Sequence, residues 1–241
     1  MCTVSFVRTD DCVIITSNRD EHIERQYAAA PQLYVSAEKK VLFPKDPKAG
    51  GTWFAAADNG TVAVLLNGAF EKHIPEPVYR KSRGLILLDI IEATDPYLFF
   101  TNMNLHNIEP FTLVLYQVPV LHELRWDGNN KHDRSLDSFE DHIWSSATLY
   151  TARVIQKRKE LFERFTGNTE NMSAELVADF HGYNHGDAEN GFVIDRPTGM
   201  RTFSITQAVV KPTIIQLIHR DLLQDTRSEE LMPITHATIK I

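Results

Sequence analysis

Apolar and polar residues alternate along the first part of the chain, and this period of two is typical of half-buried β-strands. Two such runs, residues 3–8 (TVSFVR) and 12–17 (CVIITS), are separated by a short polar turn and predict a β-hairpin. Cys12 would then lie opposite the region of Arg8. A disulfide between Cys12 and Cys2 is therefore not expected.

A second hairpin is predicted where residues 52–57 and 61–66 flank Asp58-Asn59-Gly60, a sequence that favours a tight turn. Its second strand ends at Asn67. Between the two hairpins the sequence indicates a polar stretch and then a turn-rich loop. The simplest interpretation of Gly50-Gly51 in that loop is a backbone turn that needs a positive φ angle.

From residue 79 the apolar spacing changes to that of a helix. Helices are predicted from Ser82 to near Thr94, over residues 97–103, over residues 151–165 with an end at Gly167, and from Ser173 toward His181. Further strands are predicted at residues 111–118, 121–126, 202–210 and 213–219. Strands and helices occur in separate groups and do not alternate, which indicates an α+β fold with layered sheets and helices.

Composition limits the function classes. At 241 residues the chain can bury a sizeable core, and we expect a single domain over residues 1–241. The net charge of −7 argues against non-specific nucleic-acid binding, which depends on clustered Lys and Arg. Apolar runs are shorter than the roughly 18 residues of a membrane span, and there is no apolar leader. We therefore expect a cytoplasmic protein with two free thiols, and composition does not indicate its oligomeric state.

Cys2 directly follows Met1 and is one of two cysteines in the chain. Removal of Met1 would leave a thiol and a free α-amino group on the same residue. Ordinary pKa values of about 8.5 for the thiol and about 7.7 for the amine make both groups usable near neutral pH. The amine could take the thiol proton and later return it to a leaving group. The alternative is that Cys2 only opens a buried strand.

Several short motifs occur in one order along nearly the whole chain: Met1-Cys2-Thr3, Asn18-Arg19-Asp20-Glu21, Gly50-Gly51-Thr52-Trp53, Asn67 and Arg201-Thr202. Together they resemble the NRDE family, also called the transport and Golgi organisation protein 2 family. That family is similar in turn to cysteine N-terminal nucleophile hydrolases such as choloylglycine hydrolases, penicillin V acylases and acid ceramidase. The resemblance implies a four-layer αββα sandwich of two antiparallel sheets, with the nucleophile on the first strand.

The resemblance also implies roles for individual residues. Cys2 would be the nucleophile, and Asp20 would orient its α-amino group. Asn67 would donate its side-chain amide to the oxyanion, and Arg201 would favour the thiolate. Arg19 carries over only weakly, because the acylases have an arginine near this point in a different register.

Four further residues are expected at the substrate-binding site, namely Arg19, Trp53, His73 and Ser146. Where the family usually has Ser-Asn, this chain has Ser145-Ser146, so Ser146 offers one hydroxyl in place of an amide. His73 follows Asn67 closely and is the histidine expected to reach the pocket. Trp53 is either a core residue or a pocket wall.

The chain is therefore predicted to be a hydrolase that acts on a linear amide or related acyl bond of a small molecule, with no metal or cofactor. The alternative is a non-catalytic protein that binds or transports haem or a lipid on the same scaffold. In that case Cys2 and a nearby histidine could ligate the iron.

Some of these features also have plain structural interpretations. Residues 18–21 could form only a turn after a strand. His181 and His185 are four residues apart, but the glycines beside them argue against a regular helix, so a metal site is not expected there. The basic run 157–159 lies on the polar face of its predicted helix and is expected to be solvated.

Overall fold

The protein is described by a computed structural model over residues 3–36 and 39–235, so Cys2 lies outside the described residues. The first seven strands are β1 (Thr3–Arg8), β2 (Val13–His22), β3 (Ala29–Val35), β4 (Lys40–Lys45), β5 (Phe54–Ala57), β6 (Val62–Asn67) and β7 (Phe111–Gln117). The remaining strands are β8 (Val120–Trp126), β9 (Lys131–Leu136), β10 (His142–Ser145), β11 (Met200–Val210), β12 (Ile214–Asp221) and β13 (Thr226–Pro233). The helices are α1 (Arg83–Glu92), α2 (Pro96–Asn102), α3 (Ala152–Asn168) and α4 (Ala174–His181).

In the described residues the strands form two antiparallel sheets. The first sheet has the order β10-β1-β2-β11-β12-β13, and the second has the order β3-β4-β5-β6-β7-β8-β9. Thr3 pairs with Asn18, and Arg8 pairs with Val13. The predicted first hairpin and its register are confirmed, and Cys12 lies near Arg8 as expected.

Apolar side chains form three layers. One layer lies between the two sheets, another lies between the second sheet and helices α1 and α2, and the third lies between the first sheet and helices α3 and α4. Representative pairs are Phe6 and Phe54 between the sheets, Ile90 and Leu113 under α1, and Ile14 and Phe162 under α3. Each such side chain contributes about 1.5–3 kcal/mol on burial. This arrangement is the four-layer αββα sandwich, and the predicted fold class is confirmed.

The structure differs from the predicted elements at several points. Strands β3, β4, β9, β10 and β13 were not predicted. β2 runs to His22, so the interpretation of residues 18–21 as a turn is wrong. α3 continues through Gly167 to Asn168 and does not end at the glycine. None of the helices in residues 3–36 and 39–235 is long and apolar enough to cross a membrane.

Candidate functional site

β2 sends successive side chains to opposite faces of the first sheet, as every strand does. Ile15 packs between the two sheets, whereas Ile14 packs against the helical layer. Arg19 has the parity of Ile15, and its guanidinium lies over Trp53, a residue of the layer between the sheets. Asp20 has the parity of Ile14 and faces the helical layer. The two central residues of the 18–21 motif therefore point into different environments.

Arg19 is 1% exposed and lies at the wall of a cavity of about 380 Å³. We call this cavity the Arg19 pocket, and its walls include Arg19, Asp46, Trp53, Asn67, Ser82 and Glu109. The Nη2 atom of Arg19 donates to Oδ2 of Asp46 at 2.8 Å. The Nε and Nη1 atoms are buried without a hydrogen-bond partner among the described residues. An unused buried donor costs roughly 1–3 kcal/mol, and more on a charged group, which favours a bound group at this position.

A single carboxylate, that of Asp46, accepts hydrogen bonds from two arginines beside this pocket. Asp46 accepts from Arg19 and, at 2.8 Å, from Nη2 of Arg25. Its other oxygen accepts from the backbone N–H groups of Lys48 and Ala49. Burial alone would raise the pKa of Asp46, but these hydrogen bonds and the two guanidinium groups outweigh it and lower the pKa. Asp46 is therefore ionised near neutral pH and balances only one of the two positive charges.

Trp53 and Asn67 add further unused polar atoms. Nε1 of Trp53 and Oδ1 of Asn67 are buried without a partner among the described residues. The amide of Asn67 can present its nitrogen in place of its oxygen after a 180° rotation, because the two ends are assigned from their contacts. Both predicted residues thus lie at the Arg19 pocket.

Ser146 is buried beside Asn67. Its Oγ donates to the backbone carbonyl of Asn67 at 2.8 Å and lies 3.0 Å from Oγ1 of Thr148. Among the described residues that line the Arg19 pocket, Asn67 is present and Ser146 is not. Ser146 therefore supports the end of β6, and its hydroxyl does not line the pocket as the sequence led us to expect.

The N-terminus of α1 closes another side of the pocket. Ser82 occupies the N-cap position, but its side chain makes no capping hydrogen bond, and its Oγ is buried without a described partner. Gly51 and Gly84 allow this close approach, because a Cβ on Gly51 would lie 2.4 Å from the carbonyl carbon of Gly84. Gly50 has a φ of 71°, so the predicted turn applies to Gly50. Gly51 is needed for a different reason, the packing of α1 against the loop.

His73 reaches the pocket only through Glu109. Its Nε2 atom lies 3.2 Å from Oε1 of Glu109, whose Oε2 lies 2.9 Å from Nη2 of Arg83. Glu109 and Arg83 both line the pocket. Burial lowers the pKa of the Arg83 guanidinium, and the charge of Glu109 opposes that effect. The carboxylate of Glu109 is therefore already paired with the guanidinium of Arg83.

Asp20 is the centre of a buried polar network on the other face of β2. Its Oδ2 accepts from the hydroxyl of Tyr150 at 2.8 Å, and its Oδ1 accepts from Oγ1 of Thr202 at 2.7 Å. Burial and the neighbouring Asp20 charge raise the pKa of Tyr150 well above its ordinary value, so Tyr150 remains a donor. The guanidinium of Arg158 stacks 3.6 Å from the centre of the Tyr150 ring and donates to Oγ1 of Thr3. This network links Asp20 to the start of β1.

Arg158 was expected to be solvated, and the structure shows that this expectation is wrong. The residue is 1% exposed, and it also donates to the backbone carbonyls of Asn190 and Gly191. Ile155 and Phe162 lie three residues before and four residues after it, so all three share the inward side of α3. Arg158 occupies a core position of the helix, although the basic residues on either side of it are exposed.

Arg201 is not among the described residues that line the Arg19 pocket, although its strand partner Glu21 is. Its Nε donates to Oδ1 of Asp195 at 2.6 Å, and its side chain is 39% exposed. In the part of the chain that the structure describes, Arg201 is not brought together with Arg19, Trp53 and Asn67. Within the predicted Arg201-Thr202 pair it is Thr202 that reaches Asp20.

Asn18 has a structural environment. Its amide donates to the backbone carbonyls of His181 at 2.9 Å and Phe192 at 3.1 Å. Its Oδ1 accepts from Nδ1 of His181, whose Nε2 lies 2.8 Å from Oγ of Ser5. Burial and the charge of Arg158 lower the pKa of His181 to about 3. A neutral histidine therefore ties α4 to the first sheet.

A larger cavity of about 550 Å³ lies beside β8 and β10. It is lined by Glu123, Arg125 and Trp144 among others, and none of the predicted site residues in the described part of the chain lines it. Glu123 already accepts from Arg125 and from Nε1 of Trp144. We therefore place the candidate site in the smaller Arg19 pocket, where the unused polar atoms are concentrated.

The chain was compared with known families. The family described as Transport and Golgi organisation 2 matches residues 1–191. No curated protein matches the chain in sequence.

Solved structures match the fold over almost the whole chain. A conjugated bile acid hydrolase from Clostridium perfringens, solved as a mutant with cysteine replaced by alanine, has a TM-score of 0.55 at 9% identity, covering 99% of this chain and 98% of that chain. An N-acylethanolamine-hydrolyzing acid amidase ortholog from Caenorhabditis elegans has a TM-score of 0.55 at 11% identity, covering 86% and 92%. An arginine-to-leucine variant of the Clostridium hydrolase has a TM-score of 0.52 at 9% identity, covering 98% of each chain. The shared fold is that of N-terminal nucleophile hydrolases.

Proposed function

The chain belongs to the Transport and Golgi organisation 2 family, and on that premise we propose that it hydrolyses a linear amide or related acyl bond with Cys2 as the nucleophile. Its scaffold is that of the N-terminal nucleophile hydrolases. The substrate is a small molecule that binds in the Arg19 pocket.

The observation that carries this proposal is a cluster of unused polar atoms. Four wall residues of the Arg19 pocket hold buried atoms without a described protein partner: Nε and Nη1 of Arg19, Nε1 of Trp53, Oδ1 of Asn67 and Oγ of Ser82. Buried polar atoms in folded proteins are nearly always paired, so their concentration around one cavity favours a ligand site. Cys2 is bonded to Thr3, whose backbone pairs with Asn18 beside Arg19.

The proposed reaction has two steps. After removal of Met1, the α-amine of Cys2 accepts the thiol proton and the sulfur attacks the acyl carbon. The C–N bond breaks, the leaving amine takes the proton, and a thioester remains. Water then hydrolyses the thioester, which releases the carboxylic acid and restores the thiol.

The remaining roles follow from this reaction. The oxygens of Asp20 accept from Tyr150 and Thr202 and still have lone pairs for the α-amine. Asn67 supplies an amide to the oxyanion, where loss of one donor costs about 10²–10³ in rate. The buried guanidinium of Arg19 is better placed than the exposed Arg201 to favour a thiolate.

The structural relatives support the reaction class. One is called a conjugated bile acid hydrolase and another an N-acylethanolamine-hydrolyzing acid amidase. The Clostridium hydrolase was solved with a cysteine and, separately, an arginine replaced. These names favour amide cleavage for this chain, and its substrate can differ from theirs.

Reactivity of the two thiols tests the proposal. Cys12 is the matched control, because burial raises the pKa of its thiol and should make it slow to alkylate. We expect intact mass to show loss of Met1, and iodoacetamide to label Cys2 faster than Cys12 near pH 7. Turnover of an N-acyl amide library should disappear in Cys2→Ala and persist in Cys12→Ala. Retained Met1, equal labelling rates or turnover by Cys2→Ala would each rule out the proposed nucleophile.

The haem alternative would need iron ligands from outside the described walls of the Arg19 pocket. None of the described residues lining the Arg19 pocket is a histidine, cysteine, methionine or tyrosine, the usual axial ligands of haem iron. Nε2 of His73 is engaged by Glu109, whereas its Nδ1 is buried without a described partner. Haem binding by Cys2, which is outside the described residues, stays a prediction that titration against Cys2→Ser would test through the Soret band.

A further inference from the structure

We infer that the Arg19 pocket binds an anionic oxygen group of the ligand, a carboxylate or a phosphate, between Arg19 and the N-terminus of α1. This inference rests on the proposed function in one respect, because it assigns the chemical class of one end of the substrate. The binding itself needs no catalysis and can be measured separately.

The first argument comes from the charge of Arg19. Its guanidinium is buried, and the nearby carboxylate of Asp46 is shared with Arg25. Glu21 lies 3.7 Å from Nη2, the atom that already bonds Asp46. The Nε and Nη1 donors face no described acceptor. A buried cation with two free donors would be stabilised by an added anion.

The second argument comes from the donor character of the unused atoms of Arg19 and Trp53; Oδ1 of Asn67 is an acceptor as placed, and the amide would offer its nitrogen to an anion only after a 180° rotation. An indole Nε1 can only donate, and both free nitrogens of Arg19 can only donate. The Trp53 ring lies under the Arg19 guanidinium, with 4.6 Å between the ring centre and the guanidinium carbon. Acceptor oxygens of a ligand would satisfy both residues at once. A ligand with an ammonium group at this position would leave the same donors unpaired.

The third argument comes from α1. The N-terminus of a helix carries a partial positive charge and is a common site for anions. α1 has 10 residues, and its N-cap serine uses its hydroxyl for no capping bond. The contact of Gly51 with Gly84 holds this helix end against the loop that precedes Trp53. The buried Oγ of Ser82 is then available to donate to the same anion.

The acidic groups at the pocket do not oppose this assignment. Glu109 pairs with Arg83 at 2.9 Å and with His73 at 3.2 Å. Asp46 is held by two arginines and two backbone N–H groups. Of the charged residues lining the pocket, four are basic (Arg19, Arg25, Lys48 and Arg83) and three are acidic (Glu21, Asp46 and Glu109). The lining therefore carries a small positive excess, and the unused donors of Arg19 lie within it.

Three small probes test the inference by calorimetry: phenylacetate, its neutral isostere phenylacetamide, and phenyl phosphate. The Cys2→Ala protein is used, so that no turnover intervenes. We expect at least one anion to bind about tenfold more tightly than phenylacetamide, with affinity falling as NaCl rises, as for a charge-assisted bond. Tighter binding of phenylacetate would identify a carboxylate, and tighter binding of phenyl phosphate would identify a phosphate. Equal or weaker binding of both anions relative to the amide would overturn the inference.

Variants locate the site. Arg19→Gln should lose about tenfold in anion affinity, Arg19→Lys should lose less, and neither should alter the phenylacetamide affinity. Ser82→Ala removes one hydroxyl with little risk to the fold, and should weaken the anion about two- to fivefold. Arg227→Gln, at an exposed pair with Glu229, is the matched control. Anion binding that Ser82→Ala and folded Arg19 variants leave unchanged would show that the anion binds elsewhere.

The outcomes separate the two proposals. Anion binding without any Cys2-dependent turnover would remove the proposed function and keep the anion site. Turnover of neutral amides without anion binding would remove the anion site and keep the proposed function.

Discussion

Arg158 carries a buried charge whose described partners are two backbone carbonyls, a hydroxyl and two aromatic rings. An isolated buried charge is costly, and hydrogen bonds at every edge are needed to offset that cost. The carbonyls come from Asn190 and Gly191, and the hydroxyl from Thr3. Arg158 thus connects α3, the loop before β11 and the start of β1. This residue supports the position from which Cys2 extends.

His181 provides a pH-dependent prediction. Its pKa is lowered from 6.5 to about 3 by burial, so the unfolded chain binds a proton between these values and the folded chain does not. The unfolding free energy should therefore rise with pH through this window and fall as the pH drops from 7. At pH 5 this group alone should cost about 2 kcal/mol relative to pH 7.

Urea unfolding of His181→Gln at pH 7 and pH 5 tests this. The difference in unfolding free energy between pH 7 and pH 5 should be about 2 kcal/mol smaller in the variant than in the parent, although the variant is less stable overall. His219, whose pKa is lowered to about 4 mainly by burial, should provide the part of the slope that remains. His106→Gln, a change at an exposed histidine, is the matched control. The same pH slope in His181→Gln and the parent would contradict the assignment.

At the residue scale, the sequence predicted several residues of the pocket but few of the contacts that they make. Arg19, Trp53 and Asn67 were predicted and lie at one cavity. Ser82 was predicted only as a helix start, and Tyr150 was not predicted, because a serine or tyrosine near a helix start carries no signal that it contributes to a site. Asp46 was missed for a similar reason, since an aspartate in a turn-rich loop is usually a turn former.

At the element scale, edge position explains four of the five strands that the sequence failed to predict; the fifth, β4, is a mostly buried inner strand between β3 and β5. β3 and β9 are the edges of the second sheet, and β10 and β13 are the edges of the first. Edge strands bury few side chains, and β9 and β13 are largely exposed. Their apolar alternation is therefore weak. The inner strands β1, β2, β6 and β11 are buried along most of their length and were recognised.

The contact of α1 with the loop before β5 yields a second prediction. A Cβ on Gly51 would meet the backbone of Gly84 at 2.4 Å, and backbone cannot move aside easily. Gly51→Ala should therefore destabilise the fold by more than about 1 kcal/mol and shift the end of α1. Gly84→Ala should behave similarly, because its Cβ would lie 2.8 Å from the carbonyl oxygen of Thr52.

Gly167 is the matched control for these substitutions. It lies inside α3, and a Cβ there would meet nothing within 4 Å. Gly167→Ala should stabilise the protein by about 0.5–1 kcal/mol, because alanine favours a helix more than glycine does. Thermal and urea unfolding of the three variants would show the opposite signs. A stabilising Gly51→Ala would mean that the two glycines are not in contact.

At the scale of the whole molecule, the first sheet joins distant parts of the chain. β2 pairs with β11 along ten residue pairs, and β11 in turn pairs with β12. A bulge between Thr202 and Ser204 lets Thr202 reach Asp20 while the ring of Phe203 lies 5.7 Å from the Arg19 guanidinium. The family match ends at residue 191, before these contacts begin. The last strands therefore complete both faces of β2.

This connectivity predicts that residues 1–191 do not fold alone. Cutting there removes β11, exposes the inner edge of β2 and leaves Asp20 without Thr202. We expect loss of a cooperative thermal transition by circular dichroism and aggregation in size-exclusion chromatography, since an unpaired strand edge promotes association. A chain cut after Thr235 keeps every described strand and is the matched control, which should melt in one cooperative step as a single domain does. If residues 1–191 instead melted cooperatively at the parent midpoint, the proposal of one domain over residues 1–241 would fail, because β11 would then belong to a unit that folds separately.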